Sequence, residues 1–372
     1  MPAAKKKRNL YIVFGVVIVL LLSAYVADHS NLVSSTLLPD RLYWLLFLLL
    51  GAFTMGAGFE PLIKERFPKA SQEEVTEAPE RLLKDYEPLA GYYPVACVTI
   101  IFGSLLVAAL FLGAPTAILS LPSASSFWFA AVMSGVINIF IFYFGTKALR
   151  YGDLSLVSMT AGLAPLLTLP VSFVVYNVFG RTAPITDPSV TFLGFVGILL
   201  IVCGLVINVF AERRQGTPPL APPHDWFARH PVISGMTSAA LASVAINFDK
   251  VAVEAGNPFL FGIIVTLTVS LGTLGFVWFR SGCARIVYLF RTYARSFLIV
   301  GAVYGALVLL MALTLWGENV NYQGTIKRLS IVFATLYGAW VLGEGGTPRS
   351  KFIRIIVAIA AVLGIALITI WG

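Results

Sequence analysis

Lys327 and Arg328 are the charged residues with the most unusual position in the sequence. They lie inside the apolar run 320–342, about eight residues or about 12 Å from its start. A cation at the centre of a bilayer costs from about 2.5 to well over about 10 kcal/mol, so such residues usually face a cavity or a partner. Two interpretations follow: the pair contacts an anionic group or a carboxylate, or its aliphatic stems carry the charges to the nearer interface.

Two prolines interrupt an earlier apolar run, 154–178. Pro165 aligns with Arg328 in an internal repeat described below, and Pro170 follows one turn later. Proline removes a backbone donor and crowds the preceding helical turn. An interrupted span that matches a charged stretch in its partner repeat is typical of a carrier's binding site. The alternative is a packing kink.

Polar residues also end two apolar runs. Asn247, Asp249 and Lys250 end the run 231–252, and Glu60 ends the run 41–59. Asp249 and Lys250 either form an ion pair at the membrane surface, or Asp249 gates a pathway or carries a coupled proton. The same two interpretations apply to Glu60 with the nearby Lys64.

Asn138, Tyr143 and Lys147 are spaced five and four residues apart in the run 127–147, and we expect them to share one helix face. Amides in lipid often form hydrogen bonds between helices, so these residues either hold helices together or line a substrate pathway.

Asn321 and Tyr322 begin the span that contains Lys327, where they either line its entrance or serve structure. Gly301 and Gly305 form a GxxxG pattern, which predicts close helix packing within the chain or in a homodimer.

Catalytic patterns are missing from the sequence. The histidines His29, His224 and His230 form no metal or nucleophile–base set, and no GxxxxGK[ST] loop occurs. The widely spaced Cys97 and Cys203 lie in apolar runs and Cys283 in a predicted arginine-rich loop, which indicates no disulfide framework. We therefore expect no enzyme, no cofactor and no metal site. The net charge of +8 is spread over loops, so we also expect no nucleic-acid partner.

The surrounding elements are predicted to be transmembrane helices. Hydrophobic residues make up 58% of the 372 residues and charged residues 12%, against about 25% charged in soluble domains. A mean hydropathy of +0.87 and apolar runs of about 20 residues favour helices over barrel strands. The sequence predicts an all-α integral membrane protein with spans at 11–27, 41–59, 91–113, 127–147, 154–178, 190–210, 231–252, 258–279, 297–316, 320–342 and 353–371.

Basic residues predict the orientation. If successive loops are assigned to alternate sides of the membrane, 21 of the 26 lysines and arginines lie on the side of the N-terminus. Arg41, Arg181 and Lys250 lie on the other side. Because cytoplasmic loops carry an excess of lysine and arginine, the N-terminus is predicted to be cytoplasmic and the C-terminus external. Short termini favour a bacterial cytoplasmic membrane.

An internal repeat divides the chain. Residues 162–180 align without gaps to 325–343, and the odd number of spans between them gives the two copies opposite orientations. Such inverted repeats build alternating-access carriers. The predicted units are a basic N-terminus with an extra anchor helix, a first five-helix half with a polar loop at 60–90, a Pro-rich linker and a second half; their bounds are 1–40, 41–210, 211–229 and 230–372.

Three stretches carry a family resemblance: KALRYGDLSLVS at 147–158, INFDKVAVEAGNP at 246–258 and IKRLSIVFATLYGAWVLGE at 326–344. With these, residues 41–371 resemble the EamA-like carriers of the drug/metabolite transporter superfamily. The resemblance implies a ten-helix core of two inverted five-helix repeats, to which this chain adds one N-terminal transmembrane helix. Two departures are Gly180-Arg181, where the family usually has Gly-Glu, and a charge bias opposite to the family's cytoplasmic termini.

The expected function is secondary transport of a small metabolite by alternating access, with an anionic substrate favoured by Lys327 and Arg328. One alternative is a flippase for a lipid-linked or phosphorylated amphiphile. Another is a non-transporting membrane scaffold that uses the helix 11–27 and the loop 60–90. The expected partners are membrane lipids and a small-molecule substrate, and a homodimer is the second outcome of the GxxxG pattern.

Overall fold

The computed structural model describes residues 50–66, 81–107, 121–164, 226–315, 330–343 and 347–371, with scattered helical positions between 167 and 207. These ranges are almost entirely helical and contain no strand, which confirms the predicted helical class. Several predicted features lie outside the described residues: the span 11–27, Pro165, Asn321, Tyr322, Lys327 and Arg328.

Nine helices are labelled in chain order within these ranges. They are α1 (Glu60–Arg66, after a π-helical turn Thr54–Phe59), α2 (Arg81–Val107), α3 (Ser125–Tyr151), α4 (Leu154–Thr160, followed by a 3-10 turn Ala161–Leu163), α5 (Trp226–Arg229), α6 (Pro231–Ala255), α7 (Pro258–Leu315), α8 (Ser330–Leu336, followed by a π-helical turn Tyr337–Val341) and α9 (Pro348–Trp371).

Four stretches are long and apolar enough to cross a membrane: Pro88–Leu106, Ser125–Tyr151, Pro231–Val253 and Pro258–Leu310. They confirm the expectation of a membrane-compatible helical protein. The last stretch is far longer than the about 20 residues that one crossing requires.

Helix α7 is a hairpin of two helical arms. Gly282 has φ 76° and ψ 171°, a conformation that is essentially confined to glycine, and it separates the arm 258–281 (α7a) from the arm 283–315 (α7b). A Cβ atom on Gly262 would lie 3.3 Å from Cγ1 of Val308, although a straight helix would hold the two residues about 70 Å apart. The arms are therefore antiparallel neighbours.

Two predicted loops are shorter than expected. The predicted loop between the spans 258–279 and 297–316 is wrong, because 283–296 is helical and contains neither glycine nor proline. The predicted bounds of the loop 60–90 are also wrong, because both of its ends are helical: Glu60–Arg66 forms α1, and α2 begins at Arg81. A polar sequence at the end of a span is compatible with a helix that extends beyond the hydrocarbon; α2 measures about 40 Å against about 30 Å of hydrocarbon.

Helix α2 lies along α7b in a parallel direction. A Cβ on Gly91 would collide with the Phe297 ring, and one on Gly103 would collide with Leu309. Residue numbers rise in the same direction along both helices, so the helices are parallel. Between these points, Gly301 faces the Tyr92 carbonyl. The Gly301 and Gly305 stripe thus packs against α2 within the chain.

Helix α3 has one antiparallel and one parallel neighbour. The Ser234 hydroxyl of α6 donates to the Phe144 carbonyl, at 2.9 Å, while Gly256 at the other end of α6 meets the Phe127 ring. On another side, Gly135 meets Thr268 and Gly272 meets Ile139, so α3 runs parallel to α7a.

Replacing Gly301 with alanine is expected to destabilise the protein by about 1–3 kcal/mol, because its Cβ would lie 2.5 Å from the Tyr92 backbone oxygen. Gly275 is the matched control: it is also helical on α7, and a Cβ there would meet nothing within 4 Å. Thermal unfolding in detergent should show a lowered midpoint for Gly301→Ala only. Equal midpoints for the two variants would contradict the packing.

Candidate functional site

A cavity of about 150 Å³ lies among four elements of the bundle. Its walls are the first π-helical turn with α1, then α3, α4 with its 3-10 turn, and α6. The described lining residues are Met55, Phe59, Glu60, Ile63, Ile141, Phe142, Gly145, Thr146, Leu149, Val157, Ser158, Thr160, Ala161, Gly235, Ser238, Ala239 and Ala242. This volume accommodates several water molecules or a small ligand.

The π-helical turn Thr54–Phe59 shapes one wall. A π-helical turn inserts one extra residue into the hydrogen-bond pattern of an α-helix, and such turns are frequent at functional sites. On its outer side Gly56 lies so close to Ser330 of α8 that any side chain would collide with the Ser330 carbonyl. On its inner side Met55 and Phe59 line the cavity.

Glu60 is the acidic residue of the described lining. Its side chain is 8% exposed, and its Oε2 accepts a hydrogen bond of 2.6 Å from the Ser158 hydroxyl of α4. This length is typical of a hydroxyl that donates to a carboxylate. Because a buried carboxylate is costly in an apolar bundle, its position at a cavity wall makes Glu60 a candidate functional residue.

Hydroxyl groups supply most of the remaining polarity. Ser238 donates to the Ile141 carbonyl at 2.8 Å, and Thr160 donates to the Val157 carbonyl at 2.6 Å. Their oxygen lone pairs still accept hydrogen bonds from a ligand. The lining is otherwise largely apolar, and one side is aromatic: the Phe59 and Phe142 rings lie 5.0 Å and 5.5 Å from the Tyr304 ring.

A second polar group joins α3 to α6 nearer the other end of the bundle. The Asn138 amide donates to the Ser134 carbonyl at 2.8 Å and to its hydroxyl at 3.1 Å, and the Ser134 hydroxyl donates to Asp249. Asn138 precedes the lining residue Ile141 by three residues, or about 4.5 Å along α3, but Ser134, Asn138 and Asp249 are not among the described lining residues of the cavity.

The predicted common face of Asn138, Tyr143 and Lys147 is only partly correct. Lys147 is 1% exposed, donates to the Tyr143 hydroxyl and lies 4.3 Å from the centroid of that ring. Asn138 bonds to Ser134 instead. Five residues of α-helix rotate a side chain by about 140° beyond one full turn, which separates Asn138 from the other two.

The other predicted residues have less direct relations to the cavity. Asn247 is buried and donates to the Ser243 carbonyl one turn earlier, at 2.8 Å. Lys250 is half-buried near the end of α6, and Pro170 is exposed on a helical piece.

Sequence reasoning assigned no role to Ser134, Thr146, Ser158 or Ser238. Ser158 belongs to the stretch 147–158 that carries the family resemblance. However, nothing in the sequence distinguishes a serine that lines a cavity from a serine whose hydroxyl bonds to its own helix. Among the described residues, no cluster of three histidine, cysteine or acidic side chains is arranged to hold a metal ion.

No protein-family model and no curated protein matches this chain. The fold and the composition therefore define the class on their own: a helical protein with apolar helices long enough to cross a membrane, and with a carboxylate-bearing cavity between them.

Proposed function

We propose that the chain is a secondary transporter, which moves a small molecule across a membrane by alternating access between two inverted five-helix halves. The observation that carries this proposal is the cavity. It lies between the π turn with α1, the start of the first half, and α6, the start of the second, and the Glu60 carboxylate is on its wall. Carriers of this architecture bind their substrates between the repeats.

The helix directions support the inverted arrangement. In the proposed repeat, α2 and α3 of the first half correspond to α7a and α7b of the second. In such a repeat, each contact between the halves should occur twice, with the corresponding helices exchanged. The parallel pair α2–α7b therefore requires a second parallel pair, α7a–α3, and both pairs are observed. Because α7a and α7b are antiparallel, α2 runs opposite to α7a and α3 runs opposite to α7b.

The cavity size favours a small molecule over a lipid-linked amphiphile. A lipid headgroup with its chain needs more room than about 150 Å³ and an opening towards the bilayer. The described lining supplies a carboxylate and hydroxyls and no basic side chain. The preference for an anionic substrate therefore rests only on the position of Lys327 and Arg328 in the sequence and stays a prediction.

A thermal-shift screen of anionic, zwitterionic and cationic metabolites on purified protein tests the proposal. A ligand that binds only the folded protein raises its apparent stability, by about 2.7 kcal/mol at a hundred times its Kd. We expect a hit that drives uptake into proteoliposomes and loses its shift in Glu60→Gln. Hits that bind but are never transported, in both orientations of the protein, would contradict transport.

A further inference from the structure

The start of α7b is an amphipathic helix with arginines on its outer face. We call residues 283–296 the arginine segment; it contains Arg285, Arg291 and Arg295, and Arg280 precedes it. The whole of α7 contains no acidic residue and no lysine. Its charge is therefore of one sign and consists of guanidinium groups.

The inner face of the arginine segment is fixed to the bundle. Leu289 is 2% exposed, and Ile286 and Phe290 pack against the same core cluster. Arg291 and Arg295 are one turn apart and exposed, on the side opposite to these residues. The segment thus has a defined orientation, with two guanidinium groups pointing away from the protein.

The antiparallel packing of the two arms of α7 gives the approximate position of these arginines along the axis of the bundle, which we call their level. Phe279 lies seventeen residues after Gly262, and Arg291 lies seventeen residues before Val308, which is about 26 Å in both arms. The Gly262–Val308 contact taken alone places Arg291 level with Phe279, whereas counting from the turn at Gly282 places Arg291 six residues further along its arm, so Arg291 lies within about 9 Å of the level of Phe279. Phe279 follows Pro258, the start of α7a, by about 32 Å of helix, so a hydrocarbon core about 30 Å thick that begins at Pro258 ends close to Phe279.

The side chains at this level match a membrane boundary. Phe279 is 96% exposed and Trp278 is 64% exposed on α7a, and Tyr288 is 51% exposed on α7b. Aromatic rings at the end of an apolar span are typical of the headgroup region. The Arg285 guanidinium lies 5.1 Å from the Tyr288 ring centroid, which holds a further positive charge at the same boundary.

We propose that the arginine segment binds the phosphate groups of anionic phospholipids in the leaflet at the Gly282 end of the bundle. Within the described ranges, no ion pair involves Arg280, Arg291 or Arg295. A guanidinium group donates two parallel hydrogen bonds to a phosphate, and each basic residue near an anionic surface strengthens attraction about fivefold. This inference requires only that the helices lie in a bilayer and is independent of transport.

The test uses full-length protein reconstituted in vesicles of equal phosphatidylcholine and phosphatidylglycerol, then extracted in mild detergent for lipid counting by native mass spectrometry. The wild-type protein should retain phosphatidylglycerol in preference, and Arg291→Gln/Arg295→Gln should lower that preference by roughly 25-fold. The control Arg229→Gln/Arg349→Gln removes the same charge from exposed sites at the same end of the bundle but outside the arginine segment, and it should lower the preference much less. An unchanged preference in the first variant, or an equal loss in both, overturns the proposal.

A variant that keeps both positive charges controls for a folding defect. Arg291→Lys/Arg295→Lys should keep most of the preference, and raising the salt during extraction from about 0.1 M to about 1 M should weaken it, because the Debye length falls from about 10 Å to about 3 Å. A preference that is insensitive to salt in both the wild type and this variant also overturns the proposal.

Discussion

Replacing Glu60 with glutamine is expected to lower transport by roughly 10- to 150-fold while leaving membrane abundance unchanged. The glutamine keeps the size of the side chain, and its amide oxygen can still accept the Ser158 hydrogen bond, but it removes the negative charge that would accept a charge-assisted hydrogen bond from the ligand. A hydrogen bond to a charged group is worth about 1.5–3 kcal/mol, which corresponds to that range. Initial uptake rates in proteoliposomes, with the ligand found by thermal shift, measure the effect.

Ser158→Ala separates the role of Glu60 from a general effect of polarity. It removes the donor but leaves the carboxylate, so transport should fall less than in Glu60→Gln. Ser104→Ala is the matched control, since Ser104 is fully buried on α2 and away from the cavity. Full activity in Glu60→Gln, at wild-type abundance, would exclude this carboxylate from transport.

Filling the cavity should have an effect of similar size. Ala242 of α6 lines the cavity, and a phenylalanine there would occupy the space beside Glu60. A ligand that binds beside the new ring would overpack the site, which costs about 1–3 kcal/mol, so we expect its affinity to fall by roughly 5- to 150-fold. Isothermal titration of the purified variant measures this loss directly.

The control for Ala242→Phe is the same substitution at Ala302, which is exposed on α7b. A phenylalanine there enters the lipid and should leave affinity unchanged. Ala242→Ser adds little volume and should also bind. Wild-type affinity in Ala242→Phe would mean that the ligand binds somewhere else.

The sequence predicted the helices well where apolar runs end at strong helix-stopping signals. The run 231–252 begins at Pro231 and matches α6, and the next helix begins at Pro258 with Asn257 accepting a hydrogen bond from the Phe259 amide. The arginine segment was predicted as a loop because hydropathy measures membrane insertion rather than helix formation. A charged amphipathic helix therefore looks like a connection.

The candidate site was predictable only in its charged members. Glu60 stood out because a carboxylate at the end of an apolar run is costly. Ser158 and Ser134, which give Glu60 and Asp249 their partners, carry no such signal, since their contacts join residues about a hundred positions apart. Distances of this kind depend on which helices pack together, and periodicity within one helix does not encode them.

Alternating access of the cavity is the central claim, and cysteine accessibility at Ala242 tests it most directly. Ala242→Cys is placed in a chain without Cys97, Cys203 and Cys283, and a membrane-impermeant thiol reagent is applied to vesicles of each orientation. We predict labelling from both sides, with ligand shifting the ratio of the two rates, and no labelling of Ala302→Cys. Labelling from one side alone, unaffected by ligand, would contradict the account.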